Sequence, residues 1–205
     1  MNVFPTDGIC SACPSPSETM GDHAVACGWG GERIHRHNMI RDCLFSTCTQ
    51  VCLGPTREDR ALIPGTEARP ADIYLPGWMA GKDAALDITV INPLAQTYLQ
   101  HSAATPGYAL AQAFERKMTK HGEACTAAGI VFQPMALDTL GAWGDSTVQQ
   151  VKRMGSALAR QTGGEEGEII KHLVQRVSVI LMRTNANLIL NRRPNFTEPQ
   201  IDGIE

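Results

Sequence analysis

Residues 68–94 read ARPADIYLPGWMAGKDAALDITVINPL, and the fold turns on how this stretch is taken. Two apolar runs, residues 71–75 and 84–91, flank a segment rich in turn-forming residues, the pattern of a β-hairpin. The second run is apolar enough to be a central strand, buried on both faces. One residue breaks it: Asp87 sits between Leu86 and Ile88, where an unpaired charge would be costly. Asp72 opens the first run, with fourteen residues between the two acids. Hairpin pairing therefore brings both carboxylates to one end of a sheet.

Toward the C-terminus, residues 108–128 carry a helical pattern with polar Glu115, Arg116, Lys117 and Lys120, and residues 129–137 form a strand-like run. A helix between strands implies an α/β layer. Residues 146–161 predict a further helix with Ser146 as its N-cap, Gly163 and Gly164 break it, and residues 165–190 predict a second long helix, acidic at its start. From Asn191 onward, with Pro194 and Pro199, the chain is expected to be loose.

Toward the N-terminus, residues 54–67 read as a Pro- and Gly-containing linker, and residues 32–53 place Ile34, Met39, Ile40, Cys43, Leu44 and Val51 near helical spacing. The polar side of that helix carries Arg33, His35, Arg36, His37 and Arg41. A basic side of this kind can hold phosphates, and its competing reading is an ordinary solvated face.

Residues 1–31 are rich in Gly, Pro, Ser and Cys and too poor in aliphatic residues to build a core without a cross-link. Cys10, Cys13, His23 and Cys27 follow a Cys-x2-Cys-x9-His-x3-Cys spacing, four ligands that can close tetrahedrally around Zn2+. All four positions are protein ligands, so such a site is structural. Chance clustering is the competing reading. Cys43, Cys48 and Cys52 read as buried thiols before a second metal site, and Cys125 as core.

Composition narrows the classes. At 205 residues with 43% hydrophobic content there is material for one sizeable core plus a small appendage. A net charge of -3 argues against a surface that binds nucleic acid by bulk charge, while leaving room for a local basic stripe. No stretch approaches the roughly 20 apolar residues of a membrane span, and no basic-then-apolar signal pattern opens the chain, which reads as intracellular. With seven cysteines and no such signal, metal ligation outranks a disulfide framework.

The acid pair carries the chemistry. Two carboxylates can hold Mg2+ or Mn2+, and such an ion can activate a water and orient it at a phosphodiester. A nearby lysine can assist the water or stabilise the developing charge. The position two after Asp87 is Thr89, so the candidates are Lys117 and Lys120, one helix later; their competing reading is a solvated helix face.

In succession these residues resemble the zinc knuckle and restriction-like endonuclease of site-specific non-LTR retrotransposon proteins, a branch of the PD-(D/E)XK nuclease superfamily. The knuckle is followed by Arg33-Ile34-His35-Arg36-His37-Asn38-Met39-Ile40-Arg41-Asp42, similar to that family's linking helix. Arg69-Pro70-Ala71-Asp72 with Asp87 is similar to its Pro-Asp-x(12-14)-Asp core, with one residue inserted after the proline. Glu115-Arg116-Lys117-Met118-Thr119-Lys120-His121 is similar to its Lys-x-x-Lys-Tyr helix, with His121 where an aromatic hydroxyl stands in the family. The resemblance covers roughly residues 10–135.

The resemblance implies a knuckle over residues 1–31, a restriction-endonuclease-like domain over 32–195 and a tail over 196–205. That domain would begin with the basic linking helix, contain a mixed sheet flanked by helices, and end in C-terminal helices. It also implies a metal-dependent DNA endonuclease that nicks one strand, nuclear in location, with RNA as a further possible partner. Asp72 and Asp87 would bind Mg2+ or Mn2+, Lys117 would be the catalytic lysine with Lys120 as the alternative, and Asp42 an auxiliary acid. Arg33, Arg36, His37 and Arg41 would contact nucleic acid. The alternative function is a non-catalytic, zinc-dependent nucleic-acid-binding or protein-interaction module.

Overall fold

The computed structural model describes residues 2–57, 62–64, 66 and 68–193. The hairpin is present. Strands β4 (Ile73–Met79) and β5 (Lys82–Ile91) pair antiparallel with Ile73 opposite Leu86, and their register shifts between Leu75 and Met79, where Pro76 and Gly77 interrupt the ladder. The first strand thus starts two residues later than expected and runs four further, leaving Asp72 at its entrance, where its N–H donates to the Leu86 carbonyl.

Strand β6 (Val131–Asp138) lies parallel to β5, Asp87 beside Pro134, and the two-residue strand β3 (Thr56–Arg57) borders β4 inside the expected linker. The sheet order is β3-β4-β5-β6, a mixed sheet. Pro134 fits because β6 is an edge, where a missing N–H breaks no ladder on the open side. A parallel neighbour requires a crossover, supplied by α3 (Leu99–Ala104), which the sequence did not signal, α4 (Tyr108–Lys117), a π turn (Met118–Gly122) and α5 (Glu123–Ala127).

Alternation along β5 divides the core. Leu86 and Ile88 face α2 (Glu32–Gln50), α6 (Asp145–Thr162) and α7 (Glu166–Leu190), packing with Ile40, Leu44, Met135, Leu137, Val151, Met154 and Leu181. Each such fully buried side chain contributes about 1.5–3 kcal/mol over exposure. Ala85 and Ile91 face the other way, toward Cys125 and Phe132 or Ala109 and Ala113. Asp87 shares their parity and so faces the α4 side.

Two expectations are corrected. Helix α6 has Gly144 as its N-cap, two residues before the expected one, and the Ser146 hydroxyl, now inside the first turn, donates to Gln133 Oε1. The chain after α7 is not loose at once: Arg192 is buried and bonds Glu32 and the Trp29 carbonyl. The tail over 196–205 lies outside the described residues.

The N-terminal region consists of a two-stranded ribbon, β1 (Gly8–Ile9) with β2 (Pro16–Ser17), the short helix α1 (Asp22–Ala26) and a 3-10 turn (Trp29–Gly31). Gly30 and Gly31 both have positive φ, and a Cβ on Gly30 would meet Glu32 Oε2 at 2.5 Å. That turn seats the region on the α/β body, where Arg36 donates to the Val25 carbonyl at 3.1 Å and Asn92 to the Asp22 carbonyl at 3.4 Å. Among the described residues no helix is long and apolar enough to cross a membrane.

Candidate functional site

Two groups of metal-type side chains stand on this frame. In the first, the ligand atoms of Cys10, Cys13, His23 and Cys27 all lie within 4.8 Å of one another. Cys13 Sγ is 3.2 Å from His23 Nε2 and 3.8 Å from Cys27 Sγ. Donors at zinc bond lengths around a tetrahedral ion lie about 3.3–3.8 Å apart, so the spacing fits. The β1–β2 ribbon presents the two cysteines: Cys10 N–H donates to the Ser15 carbonyl, and Ala12 N–H points at Cys10 Sγ from 3.4 Å. Helix α1 presents His23, fixed by its N–H donating to Glu18 Oε1.

The hydroxyl and backbone N–H of Ser15 bring the Cys13 thiol down to about 6, favouring the thiolate a metal needs, whereas burial raises Cys10. These four residues could hold a zinc ion. Phe4 and Ala24 are buried beside them, a meagre core for which a cross-link would compensate.

The second group is assembled from four elements. Asp72, before β4, and Asp87, in β5, are brought together by the hairpin register: one step past the Ile73–Leu86 pair sets them opposite each other. Lys117, the last residue of α4, places Nζ 2.7 Å from Asp87 Oδ2. His37 of α2 lies with Nε2 3.0 Å from Asp72 Oδ1, and the other Asp72 oxygen accepts from Ile88 N–H at 2.6 Å. Burial pushes the Asp87 carboxyl up to about 6, against the pull of Lys117 and reinforced by Asp72.

The π turn begins at the residue after Lys117. Such turns re-aim a helix and often mark functional positions. Here Lys117 is turned into the sheet and Lys120 is exposed. His121 packs edge-on against Phe132, its imidazole pKa lowered by burial, instead of approaching the acids.

The basic side of α2 is redistributed. Arg33 and His35 are exposed, but Arg36 is only 2% exposed and donates to Asn185 Oδ1 at 2.7 Å as well as to Val25. Arg41 is buried with Nε 3.0 Å from Asp42 Oδ1. Asp42 also faces Arg57 at 3.5 Å and does not join the acid pair. Side chains turned inward and bonded cannot meet a phosphate without breaking those contacts, so Arg36 and Arg41 are corrected from surface to structural roles. His37, read as a phosphate contact, belongs to Asp72. The sequence held no signal of that pairing, since the two lie 35 residues apart.

Cys43, Cys48 and Cys125 are buried free thiols, with burial raising Cys48 to about 12, while Cys52 is exposed. No protein-family model matches the chain, and no curated protein matches it. What stands at this point is the class: a mixed α/β protein with a Cys3His cluster near its N-terminus and a separate acid–lysine cluster at one end of its sheet.

Proposed function

We propose that the chain is a metal-dependent DNA endonuclease that nicks one strand, on a restriction-endonuclease-like fold related to those of retrotransposon proteins. The observation that supports it best is the approach of Lys117 to Asp87, beside Asp72, from 30 positions further along the chain. Two carboxylates are hard oxygen donors and suit Mg2+ or Mn2+, whose remaining positions water and phosphate oxygens can fill. When bound, such an ion lowers the pKa of water and offsets phosphate charge.

The residues divide the remaining work. Asp72 is oriented by His37 and by Ile88 N–H, leaving unused lone pairs for an ion. Asp87 supplies the second carboxylate from a rigid central strand. As a water oxygen bonds to phosphorus and gives up its proton to solvent, the bond to the departing sugar oxygen breaks, and the Lys117 ammonium stabilises the charge on that oxygen and hands it a proton, which solvent returns to the lysine. The Cys3His cluster has no open position and is structural in this reading. RNA is the second substrate to try, and a nuclear location belongs to the same proposal.

The test is plasmid nicking by the zinc-loaded chain with Mg2+ or Mn2+, beside a reaction without added divalent ion and beside Asp72→Ala. Ion-dependent nicking lost in the variant supports the reading; folded wild type that leaves the plasmid intact sinks it. One observation favours a second reading, a non-catalytic nucleic-acid-binding or protein-interaction module: both Asp72 oxygens and one Asp87 oxygen already have partners within the fold. The intact plasmid, with retained binding of a DNA or protein partner, is what that reading expects.

A further inference from the structure

With Arg36 and Arg41 buried, α2 keeps Arg33 as its exposed arginine, and a denser group of exposed cations lies on another helix. Helix α6 carries one acid, Asp145, at its start, and then Lys152, Arg153 and Arg160, in a chain whose net charge is -3. These three are exposed and share one stripe of the helix with Ser156. Together with Trp78 they line an open groove of about 350 Å³.

Trp78 is held in place from behind. Its Nε1 donates to Gln150 Oε1 at 2.8 Å; Gln150 is itself buried and donates to Gln133 Oε1 at 3.2 Å. The indole is therefore a fixed, half-buried platform whose polar atom is already satisfied. Arg153 Nη1 lies 3.3 Å from Met79 Sδ at the groove's rim. The neighbouring acids are fewer than the three cations and are held by neutral donors: Glu166 accepts from the Ser156 hydroxyl at 2.6 Å, and Asp83 from the Tyr74 hydroxyl and Gly77 N–H.

We infer that this groove binds single-stranded nucleic acid, with Lys152, Arg153 and Arg160 on successive phosphates and a base stacked on Trp78. Arg153 and Arg160 are seven residues apart, about 10 Å along the helix, a span covering more than one phosphate. A cationic track beside a rigid aromatic face is the combination that holds single strands without reading sequence. The groove lies at the opposite end of β4 from Asp72 and does not depend on any chemistry there.

The test is fluorescence anisotropy of a labelled 15-nucleotide oligo-dT with the zinc-loaded chain and no other divalent ion, so that cleavage plays no part. Three phosphate contacts predict an affinity that falls about twentyfold between 50 and 200 mM salt. The Lys152→Ala/Arg153→Ala/Arg160→Ala variant, which changes only exposed side chains, is expected to bind at least about tenfold more weakly. Trp78→Leu is expected to lose at least about fivefold, with Trp78→Phe restoring most of it.

Wild-type affinity in the triple variant, or no oligo-dT binding by folded wild type, overturns the inference. So does inorganic polyphosphate of equal charge binding as tightly as oligo-dT while Trp78→Leu changes nothing, which would make the groove a general polyanion site. Binding to anionic lipid vesicles without oligo-dT binding overturns it in favour of a membrane surface.

Discussion

The Cys3His knuckle and the Asp72–Asp87–Lys117 cluster are both sets of metal-type side chains, assembled in opposite ways. The knuckle draws four soft or borderline ligands from 18 consecutive residues and has little else to hold it. The acid cluster draws hard ligands from a hairpin, then adds a lysine and a histidine from two helices, inside a fold that has its own core. In the first the metal would make the structure. In the second the structure makes the site, with Lys117 and His37 already placed against the carboxylates. Removing metal or ligands should therefore do different things in the two regions.

The largest effect belongs to the knuckle. Structural zinc in small modules is worth on the order of 10 kcal/mol of folding free energy. Cys27→Ala, or a strong chelator, is expected to abolish zinc binding and leave residues 8–27 unprotected in amide exchange, while the α/β body keeps its helical circular dichroism. Bound zinc measured by atomic emission, together with exchange of those amides, checks this. Unchanged protection without zinc would erase the contrast.

Next is Asp87→Ala. The proposed chemistry predicts a loss of at least about 10³-fold in Mg2+-dependent nicking, roughly 4 kcal/mol of transition-state stabilisation, with the fold intact. Lys117→Met should lose comparably, and Lys120→Met, an exposed residue, little. If Lys120→Met fell as far as Lys117→Met in single-turnover nicking, the assignment of the lysine would be wrong.

A third effect separates the regions by pH. Burial raises the folded Asp87 carboxyl from 3.8 to about 6, so the fold favours its protonated form more than the unfolded chain does. Its contribution to stability is complete below about 3.8 and is lost as pH rises through about 6. Asp87→Asn does not titrate, so it should match wild type near pH 4 and exceed it by up to about 3 kcal/mol near pH 8 in metal-free buffer. Urea melts at the two pH values read this directly. A difference independent of pH would mean that Lys117 offsets the burial in full.

The same contrast explains what the sequence disclosed. The knuckle was legible because ligand spacing within one short segment nearly determines closure, and the hairpin because Asp87 interrupts an otherwise apolar run between Leu86 and Ile88. The short strand Thr56–Arg57, the helix Leu99–Ala104 and the N-cap at Gly144 were not legible, since two to six residues carry too little periodicity and Ser146 had a tertiary partner in Gln133. The inward turn of Arg36 and Arg41 was hidden for a related reason. Helical periodicity tells which residues share a face, but a long α2 packs on several neighbours: Arg36 meets the knuckle and α7 instead of water, and Arg41 is buried with Asp42 of its own helix as a partner.

Arg36 is where the two regions meet, and it carries the smallest of the expected effects. Its guanidinium ties the Val25 carbonyl of the knuckle to Asn185 of α7, while the next residue, His37, reaches Asp72. Burial, with some help from Arg33, brings its pKa down to about 10, so it stays charged at neutral pH, and its hydrogen bonds are charge-assisted. Arg36→Met keeps the length of the side chain and removes those bonds. The expected cost is about 2 kcal/mol, a fall of about 4–8 °C in Tm for a chain of this size. Arg33→Met, on the exposed face with one bond to the Ala26 carbonyl, should change stability by no more than about 0.5 kcal/mol. If α2 joins the regions as the geometry indicates, Arg36→Met should also raise amide exchange across residues 22–26 without reducing bound zinc. Equal, small losses for the two arginines would mean that the knuckle is held to the body by its other contacts, and that its stability is set by its ligands alone.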